Sequence, residues 1–305
     1  MSQRAFDLGR LGAWGHLDSL PIDEARPYAR RVEELAYGTL WVAETAGREP
    51  FTLLGLLAGE TTELNLGTSI VGIWGHDAQT TRMAAMTLQE ATGGRFVLGL
   101  GVSHLHLAQK LRGHTYERPL TRMREFLAAY RAARYLGPTA EDVADPPVLV
   151  AALREGMATL AATEADGAFP YLVTPERVAW MRGVMDSAAT AAGRKQRPLL
   201  AVTLASVLET DPDAARAAAR AYLTPYLRTP NYRVSWEAQG FAEADWEAPA
   251  SDRLVDAMVA WGDAEALQGR IGELLAAGAD HVAIIPVGPN GGTEHLEVLE
   301  ALAQG

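Results

Sequence analysis

The chain has 305 residues, of which 48% are hydrophobic and 21% charged, a composition typical of a globular protein with a large core. Its net charge is -11, and Lys110 and Lys195 are the only lysines. Because no clustered basic run could neutralise phosphates, we expect no nucleic-acid partner. The absence of cysteine excludes disulfides and thiolate metal sites. No apolar run approaches the ~20 residues of a membrane helix, so a cytoplasmic protein without membrane contact is expected.

Short apolar segments rich in β-branched or aromatic residues recur along the chain, and each is followed by a stretch with helical spacing. This alternation predicts βα units. The eight predicted strands are Phe6–Trp14, Thr39–Glu44, Asn65–Gly72, Phe96–Gly101, Val148–Leu153, Gly167–Leu172, Leu199–Glu209 and His281–Val287.

The segments between the predicted strands begin with residues typical of helix starts. Asp77 precedes a predicted helix over Ala78–Ala91, and Asp211-Pro212-Asp213 precedes another over Ala214–Tyr226. In Thr174-Pro175-Glu176, a cap residue stands before a proline at the first helical position. Helices therefore separate the predicted strands.

Parallel strands joined by helical crossovers form either an open doubly wound sheet or a closed barrel. Eight units in 305 residues favour closure, so we predict a single α/β domain over residues 1–305, a (β/α)8 TIM barrel. Residues 210–262, between the seventh and eighth strands, are predicted to be a helical or irregular insertion. Its aromatic residues Trp236, Phe241 and Trp246 would suit a homodimer contact, a lid or packing against the protein's own barrel.

In a barrel of this type, the reacting groups lie at the carboxyl ends of the strands and in the loops that follow. Glu44 ends the second predicted strand, where its carboxylate could accept a hydrogen bond from a cofactor. His16 is a lone histidine after the first strand. His104 and His106 follow the fourth strand two positions apart, which on an extended segment puts them on opposite sides. Because no other metal-ligand spacing is present, we predict no metal site.

Residues 93–101 are rich in glycine but lack the third glycine, opening a helix, that a dinucleotide fingerprint requires. Gly99 and Gly101 stand at the end of the fourth predicted strand. We expect their small size to let a planar ring approach the strand at this point.

Eight further stretches occur in order along nearly the whole chain. They are Leu40–Glu44, Pro50–Leu54, Leu66–Ile70, Gly93–His104, Ala165–Ala168, Thr174–Glu176, Asp256–Gly262 and Ala277–Val282. Together they resemble the luciferase-like monooxygenase superfamily, specifically its branch of oxidoreductases that use the deazaflavin coenzyme F420. The resemblance implies an enzyme that transfers a hydride between this coenzyme and a small organic substrate.

The resemblance also implies where the cofactor lies. In deazaflavin-dependent members the third strand carries a bulge with a non-proline cis peptide behind the cofactor's central ring, and the bulge falls on Ser69-Ile70 here. A proton acceptor would be His104, His16 or Glu44, and a histidine matches neutral pH best. The residues implied to contact the cofactor are Glu44, Gly67, Thr68, Ser69, Ile70, Gly101, Ser103, His104, Ala152, Arg154, Gly156, Ala168 and Phe169.

The chain departs from the family pattern at two places. Relatives tend to read Ala-Ala-Leu-Gly-Pro-Arg-Met where this chain has Ala151–Met157, so Arg154 could contact the cofactor's phosphate and Glu155 would repel it on facing the site. Members that oxidise sugar phosphates have a histidine and a glutamate where this chain has Thr45 and His104, which argues against that activity. Two alternatives stay open: an FMN-dependent monooxygenase of the same fold, and a non-catalytic barrel that has lost the cofactor.

Overall fold

The computed structural model describes residues 6–15, 17–139 and 143–303, in which parallel strands close into a barrel surrounded by helices. The strands are β1 (Leu11–Gly15), β2 (Thr39–Val42), β3 (Asn65–Thr68), β4 (Val71–Gly72), β5 (Phe96–Gly101), β6 (Val148–Val150), β7 (Gly167–Ala168), β8 (Leu199–Leu208), β9 (Val259–Gly262) and β10 (His281–Pro286). The barrel runs in the order β10, β1, β2, β3, β5, β6, β7, β8, and β8 pairs back to β10. The predicted (β/α)8 TIM barrel is confirmed.

Helices follow the strands, as the alternating pattern predicts. They are α1 (Ile22–Glu34), α2 (Pro50–Leu57), α3 (Ala78–Ala91), α4 (Pro119–Ala132), α5 (Glu155–Glu164), α6 (Pro175–Ala191), α7 (Pro212–Leu223), α8 (Pro230–Glu237), α9 (Glu243–Trp246), α10 (Asp252–Met258), α11 (Ala264–Ala276) and α12 (Leu296–Ala303). Asp77, Thr174 and Asp211 each accept a hydrogen bond from the backbone N–H three positions later, which confirms the predicted starts of α3, α6 and α7. A π-helical turn spans Leu107–Leu111. None of the helices in the described residues is long and apolar enough to cross a membrane.

The third barrel strand differs from the predicted Asn65–Gly72 because it is interrupted. β3 ends at Thr68, the peptide bond between Ser69 and Ile70 is cis, and β4 then resumes the pairing with β5. The interruption moves the chain out of the ladder at the carboxyl end of the barrel. It therefore shapes the region where the sequence predicts the functional site.

The segment between β8 and β10 contains four helices, α7 to α10, before β9 and α11. β9 is an unpredicted strand that pairs with the outer end of β8, at Ala205–Leu208. It has room there because β8 pairs with β7 only at its first two residues. The aromatic side chains Trp236, Phe241 and Trp246 are buried. Packing against the protein's own chain is thus confirmed among the three alternatives for these residues, and they offer no surface for a homodimer.

Side chains alternate along the barrel strands between the helical layer and the barrel interior, as strand geometry requires. In β2, Leu40 and Val42 belong to the apolar cluster shared with the helices, whereas Trp41 belongs to the inner cluster. In β5, Leu98 packs outward and Val97 inward in the same way. The interior is therefore filled by side chains and open only towards the strand ends.

A tryptophan and a histidine fill the barrel on its amino-terminal side. Nε1 of Trp41 donates to Nε2 of His281 at 2.9 Å, and Nδ1 of His281 lies 2.7 Å from the carbonyl oxygen of Gly9. Because Nε2 accepts, the proton of a neutral ring stands on Nδ1. Burial lowers the pKa of His281 to about 4. The ring is therefore uncharged at neutral pH, in keeping with its complete enclosure.

Replacement of Gly12 by alanine tests this packing. The new Cβ would lie 2.5 Å from Nε2 of His281 and 2.8 Å from the carbonyl oxygen of Thr39. We expect Gly12→Ala to lower the free energy of unfolding by ~1–3 kcal/mol, because a buried hydrogen-bonded pair has to move. Gly183→Ala is the control, since a Cβ there meets no atom within 4 Å in α6, and we expect it to stabilise the protein by ~0.5–1 kcal/mol. Urea denaturation measures both, and wild-type stability of Gly12→Ala would contradict the packing.

Candidate active site

A cavity of about 940 Å³ opens at the carboxyl ends of the barrel strands. This volume lies near the upper end of the ~300–1,000 Å³ range of small-molecule pockets. The cavity stands at the end of the barrel where the sequence places the site. Of the residues implied to contact a cofactor, its lining includes Glu44, Ser69, Ile70, Ser103, His104, Ala152, Arg154, Gly156 and Phe169.

Four of the implied cofactor contacts are absent from the lining: Gly67, Thr68, Gly101 and Ala168. All four are buried in the walls behind it. They support the cavity, and direct contact between them and a ligand stays a prediction. His16 lies outside the described residues.

The interrupted third strand forms a fixed wall of the cavity at Ser69 and Ile70. The hydroxyl of Thr68 accepts from the N–H of Gly99 at 2.8 Å and donates to the carbonyl oxygen of Gly99 at 2.9 Å, replacing the broken strand ladder. Nε1 of Trp14 donates to the carbonyl oxygen of Ser69 at 3.1 Å. Because side chains satisfy the backbone at the interruption, the wall is held without the regular pairing of a strand. We refer to Ser69 and Ile70 as the bulge wall.

Two glycines at the end of β5 make room for the bulge wall. A Cβ at Gly99 would lie 1.9 Å from the carbonyl oxygen of Thr68, and a Cβ at Gly101 would lie 2.5 Å from Cδ1 of Ile70. The expectation that a planar ring approaches these glycines is therefore wrong, because the chain's own atoms fill the space. A ring in the cavity would contact Ile70 instead.

The carboxylate of Glu44 is the centre of a charged network under the bulge wall, and its side chain is only 7% exposed. Oε2 accepts from the N–H of Gly72 at 2.6 Å, while Oε1 lies 3.1 Å from Nε2 of His76 and pairs with the guanidinium of Arg112. Burial by itself raises the pKa of Glu44, but the hydrogen bonds from His76 and Gly72 and the charge of Arg112 outweigh it and lower the pKa. Glu44 is thus an ionised carboxylate with both oxygens occupied. That state makes it a poor proton acceptor and suits it to holding the loops in place.

His104 lies in the loop after β5, with its ring in the cavity. The ring stacks on that of His106, with centroids 5.9 Å apart and planes at 2°, and lies 5.1 Å from the ring of Tyr232. The expectation that His104 and His106 point to opposite sides is wrong, because the chain turns helical directly after His104. Within the described residues, no group of three or more side chains could hold a metal ion.

The chemical state of His104 follows from its enclosure. Burial and the proximity of His106 lower the pKa of His104 to about 4, so the ring is neutral at pH 7. Its Nδ1 is buried and has no hydrogen-bond partner among residues 6–15, 17–139 and 143–303. Since buried polar atoms are nearly always hydrogen-bonded, this nitrogen is available to a ligand.

Two arginines, Arg118 and Arg154, line the cavity and precede α4 and α5. Neither is ion-paired with an acidic side chain in the described part of the chain. The first N–H groups of α5 have no acceptor within the helix, and the helix dipole favours an anion at this end. Glu155, which would repel a phosphate, is exposed and outside the cavity lining. This side of the cavity therefore suits an anionic group.

Sequence analysis missed a group of aromatic side chains that line the cavity together. Burial raises the pKa of each of them, so all are neutral phenols at pH 7. They come from four separate segments that share no motif, so only the folded chain brings them together. The four are Tyr116, Tyr171, Tyr226 and Tyr232.

Comparisons with known proteins agree with the fold. A model of the luciferase-like monooxygenase family matches residues 1–281. A 5,10-methylenetetrahydromethanopterin reductase of Archaeoglobus fulgidus is 26% identical over an alignment of 302 residues, which covers 88% of this chain and 91% of the relative. The structure of a coenzyme F420-dependent tetrahydromethanopterin reductase from Methanopyrus kandleri superposes with a TM-score of 0.76 at 17% identity, covering 98% of each chain. The oxygenating constituent of 3,6-diketocamphane monooxygenase from Pseudomonas putida, in complex with FMN, superposes with a TM-score of 0.71 at 16% identity, covering 96% of this chain and 95% of its own.

Replacement of Glu44 by glutamine tests the charged network. We expect Glu44→Gln to lower the free energy of unfolding at pH 7 by ~1–3 kcal/mol, because Arg112 loses its anion in a buried setting. The folded-state pKa of Glu44 is lowered, so its stabilisation is present above the unfolded-state pKa of about 4.3 and is lost as the pH falls through the folded-state pKa.

The stability difference between wild type and Glu44→Gln should therefore shrink between neutral and acid pH, as followed by urea denaturation. Glu63→Gln, at an exposed position, serves as the control and should leave stability unchanged at both pH values. A difference of the same size at both pH values would contradict an ionised Glu44.

Proposed function

Because the chain belongs to the luciferase-like monooxygenase family, we propose that it is an oxidoreductase that transfers a hydride between coenzyme F420 and a small organic substrate. One observation carries the proposal: a single cavity joins the flat bulge wall at one side to the anion-binding group of Arg154 and the start of α5 at another. The reductase from Archaeoglobus fulgidus supports it by its alignment over most of both chains, and the F420-dependent enzyme from Methanopyrus kandleri supports it by its fold.

The bulge wall fits the ring of such a coenzyme. Ser69 and Ile70 are held by hydrogen bonds from other elements, so the wall is preformed rather than shaped by a ligand. Two lining atoms, Nδ1 of His104 and Oγ1 of Thr203, are buried without a hydrogen-bond partner in the described residues. A ring with polar edges would supply the missing partners. When bound, the deazaflavin ring would supply the hydride chemistry, and the protein would supply its position.

The opposite end of the coenzyme carries a phosphate, and the residues at the start of α5 fit that group. The guanidinium of Arg154 can make a charge-assisted hydrogen bond to it, and the backbone N–H of Gly156 lies in the cavity lining beside it. Arg118 adds a second positive charge to the same lining. The arginine that replaces glycine in the family pattern therefore compensates for the altered loop.

The remaining residues of the site have roles that follow from their states. Ionised Glu44 holds His76 and Arg112, which fixes the loops around the bulge wall. His104 is neutral at pH 7 and offers a hydrogen bond to a substrate or coenzyme oxygen; with a pKa of about 4 it takes up a proton only weakly. Of the three residues implied as proton acceptors, His104 remains the best placed among those described.

An FMN-dependent monooxygenase is the second candidate. It is favoured by the fold shared with the FMN-bound oxygenating constituent from Pseudomonas putida. The two coenzymes present similar tricyclic rings, so the bulge wall by itself does not separate them. Direct comparison of the two coenzymes does.

Titration of the purified protein with coenzyme F420, and in parallel with FMN, followed by coenzyme fluorescence, tests the proposal. We expect saturation at micromolar F420 and binding of FMN at least about tenfold weaker, a difference of ~1.4 kcal/mol. Tighter binding of FMN would favour the monooxygenase. Binding of neither would leave the non-catalytic barrel.

The arginine at the start of α5 gives a sharper form of this experiment. We expect Arg154→Ala to weaken F420 binding about tenfold, because a charge-assisted hydrogen bond is lost, and the effect should diminish at high salt. Lys195→Ala removes the same charge from an exposed loop before β8, at the other end of the barrel, and should leave the affinity unchanged. Equal affinities of wild type and Arg154→Ala would contradict the phosphate position.

A further inference from the structure

The cavity is large enough for two molecules, and its walls differ in chemistry. In the strand order of the closed barrel, β3 and β8 stand four places apart and so face each other. The bulge wall follows β3, whereas Tyr171 follows β7 and both Tyr226 and Tyr232 follow β8. The tyrosines therefore form a wall opposite the one that fits a coenzyme ring. With about 940 Å³ available, a second ligand has room between them.

Three tyrosine rings of this wall pack edge to face and form a rigid box. The ring of Tyr171 lies 5.3 Å from that of Tyr226 at 69° and 5.7 Å from that of Tyr232 at 66°, and the latter two rings are 5.4 Å apart at 89°. Tyr171 also stacks near Trp14, with centroids 6.2 Å apart at 23°, and its hydroxyl is hydrogen-bonded to that of Tyr222 behind the lining. Edge-to-face aromatic packing of this kind presents flat apolar surfaces to a ligand.

The tyrosine wall carries no formal charge. The phenols stay neutral because burial raises their pKa, and His104 is neutral because burial lowers its pKa. A charged ligand against this wall would lose hydration without gaining a counterion, which is costly. The charged side chains of the lining belong to other segments, after β1, β2 and β10 and before α4 and α5; they are Asp18, Glu44, Glu294, Arg118 and Arg154.

Two polar atoms at this wall have no partner within the protein. The hydroxyl of Tyr232, on a side chain only 6% exposed, makes no hydrogen bond to any of the described residues, and Nδ1 of His104 is buried without one. The two rings lie side by side at 5.1 Å. Tyrosine and histidine can both bond to an oxygen atom. An otherwise apolar wall thus holds one polar spot.

We propose that the box formed by Tyr171, Tyr226 and Tyr232 binds the substrate, a neutral, flat and largely apolar molecule whose oxygen function bonds to Tyr232 and His104. The proposal rests on the proposed function, since it leaves the bulge wall to the coenzyme. It makes Tyr232 a specificity-determining residue. It also excludes phosphorylated and carboxylated substrates from this part of the cavity.

Isothermal titration calorimetry with 2-naphthol and 2-naphthoate at pH 7 tests the proposal, because the two probes share their rings and differ in charge. We expect 2-naphthol to bind at least about tenfold more tightly, and to bind in the presence of saturating coenzyme F420 as well as in its absence. Tyr232→Phe should weaken 2-naphthol about five- to tenfold through loss of one hydrogen bond, with F420 affinity unchanged. Tyr28→Phe is the matched control: its hydroxyl is also buried without a partner in the described chain, but it lies outside the cavity, so it should change neither affinity.

The outcomes separate this proposal from the proposed function. Equal affinity for the two probes, displacement of 2-naphthol by the coenzyme, or wild-type affinity in Tyr232→Phe would overturn the substrate box while leaving coenzyme binding intact. Selective binding of 2-naphthol that depends on Tyr232, in a protein that binds no F420, would support the box and overturn the proposed function.

Discussion

The close approach of the third barrel strand to two glycines of β5 is the constraint on which the site depends. The carbonyl oxygen of Thr68 and the side chain of Ile70 occupy the positions that side chains at Gly99 and Gly101 would take. The hydroxyl of Thr68 bonds to both backbone groups of Gly99, so the strands stay connected where the ladder is broken. The chain can leave the barrel at Ser69 because its backbone remains satisfied there. That departure turns an ordinary strand end into a wall.

The rest of the cavity is arranged around this wall. Glu44 accepts the N–H of Gly72 just beyond the interruption and ties it to His76 and Arg112, so a buried ion network supports the wall from below. The insertion after β8 brings uncharged aromatic rings to the opposite side. One barrel mouth therefore contains a fixed flat wall, a positively charged edge at Arg154 and a neutral aromatic wall. This division fits a coenzyme and a separate apolar substrate in one cavity.

The sequence predicts the barrel well because the signal is repeated: each βα unit contributes its own apolar strand and its own helix cap, as at Asp77 and Thr174. It predicts the bulge wall through the family pattern. It fails where function depends on long-range contact. The role of Gly101 was misjudged because the atom that fills its space, on Ile70, is 31 positions away in the chain, and the tyrosine wall carries no local pattern. The orientation of His104 was missed because a helical turn replaced the expected extended segment.

A crystal structure of the protein with coenzyme F420 bound tests the central claim, that the interrupted strand supports a deazaflavin ring, most directly. We expect the tricyclic ring to lie against Ile70, with its phosphate at the start of α5 beside Arg154, and the space in front of Tyr171 left free. A ring stacked in the tyrosine box, or a phosphate bound away from α5, would contradict it.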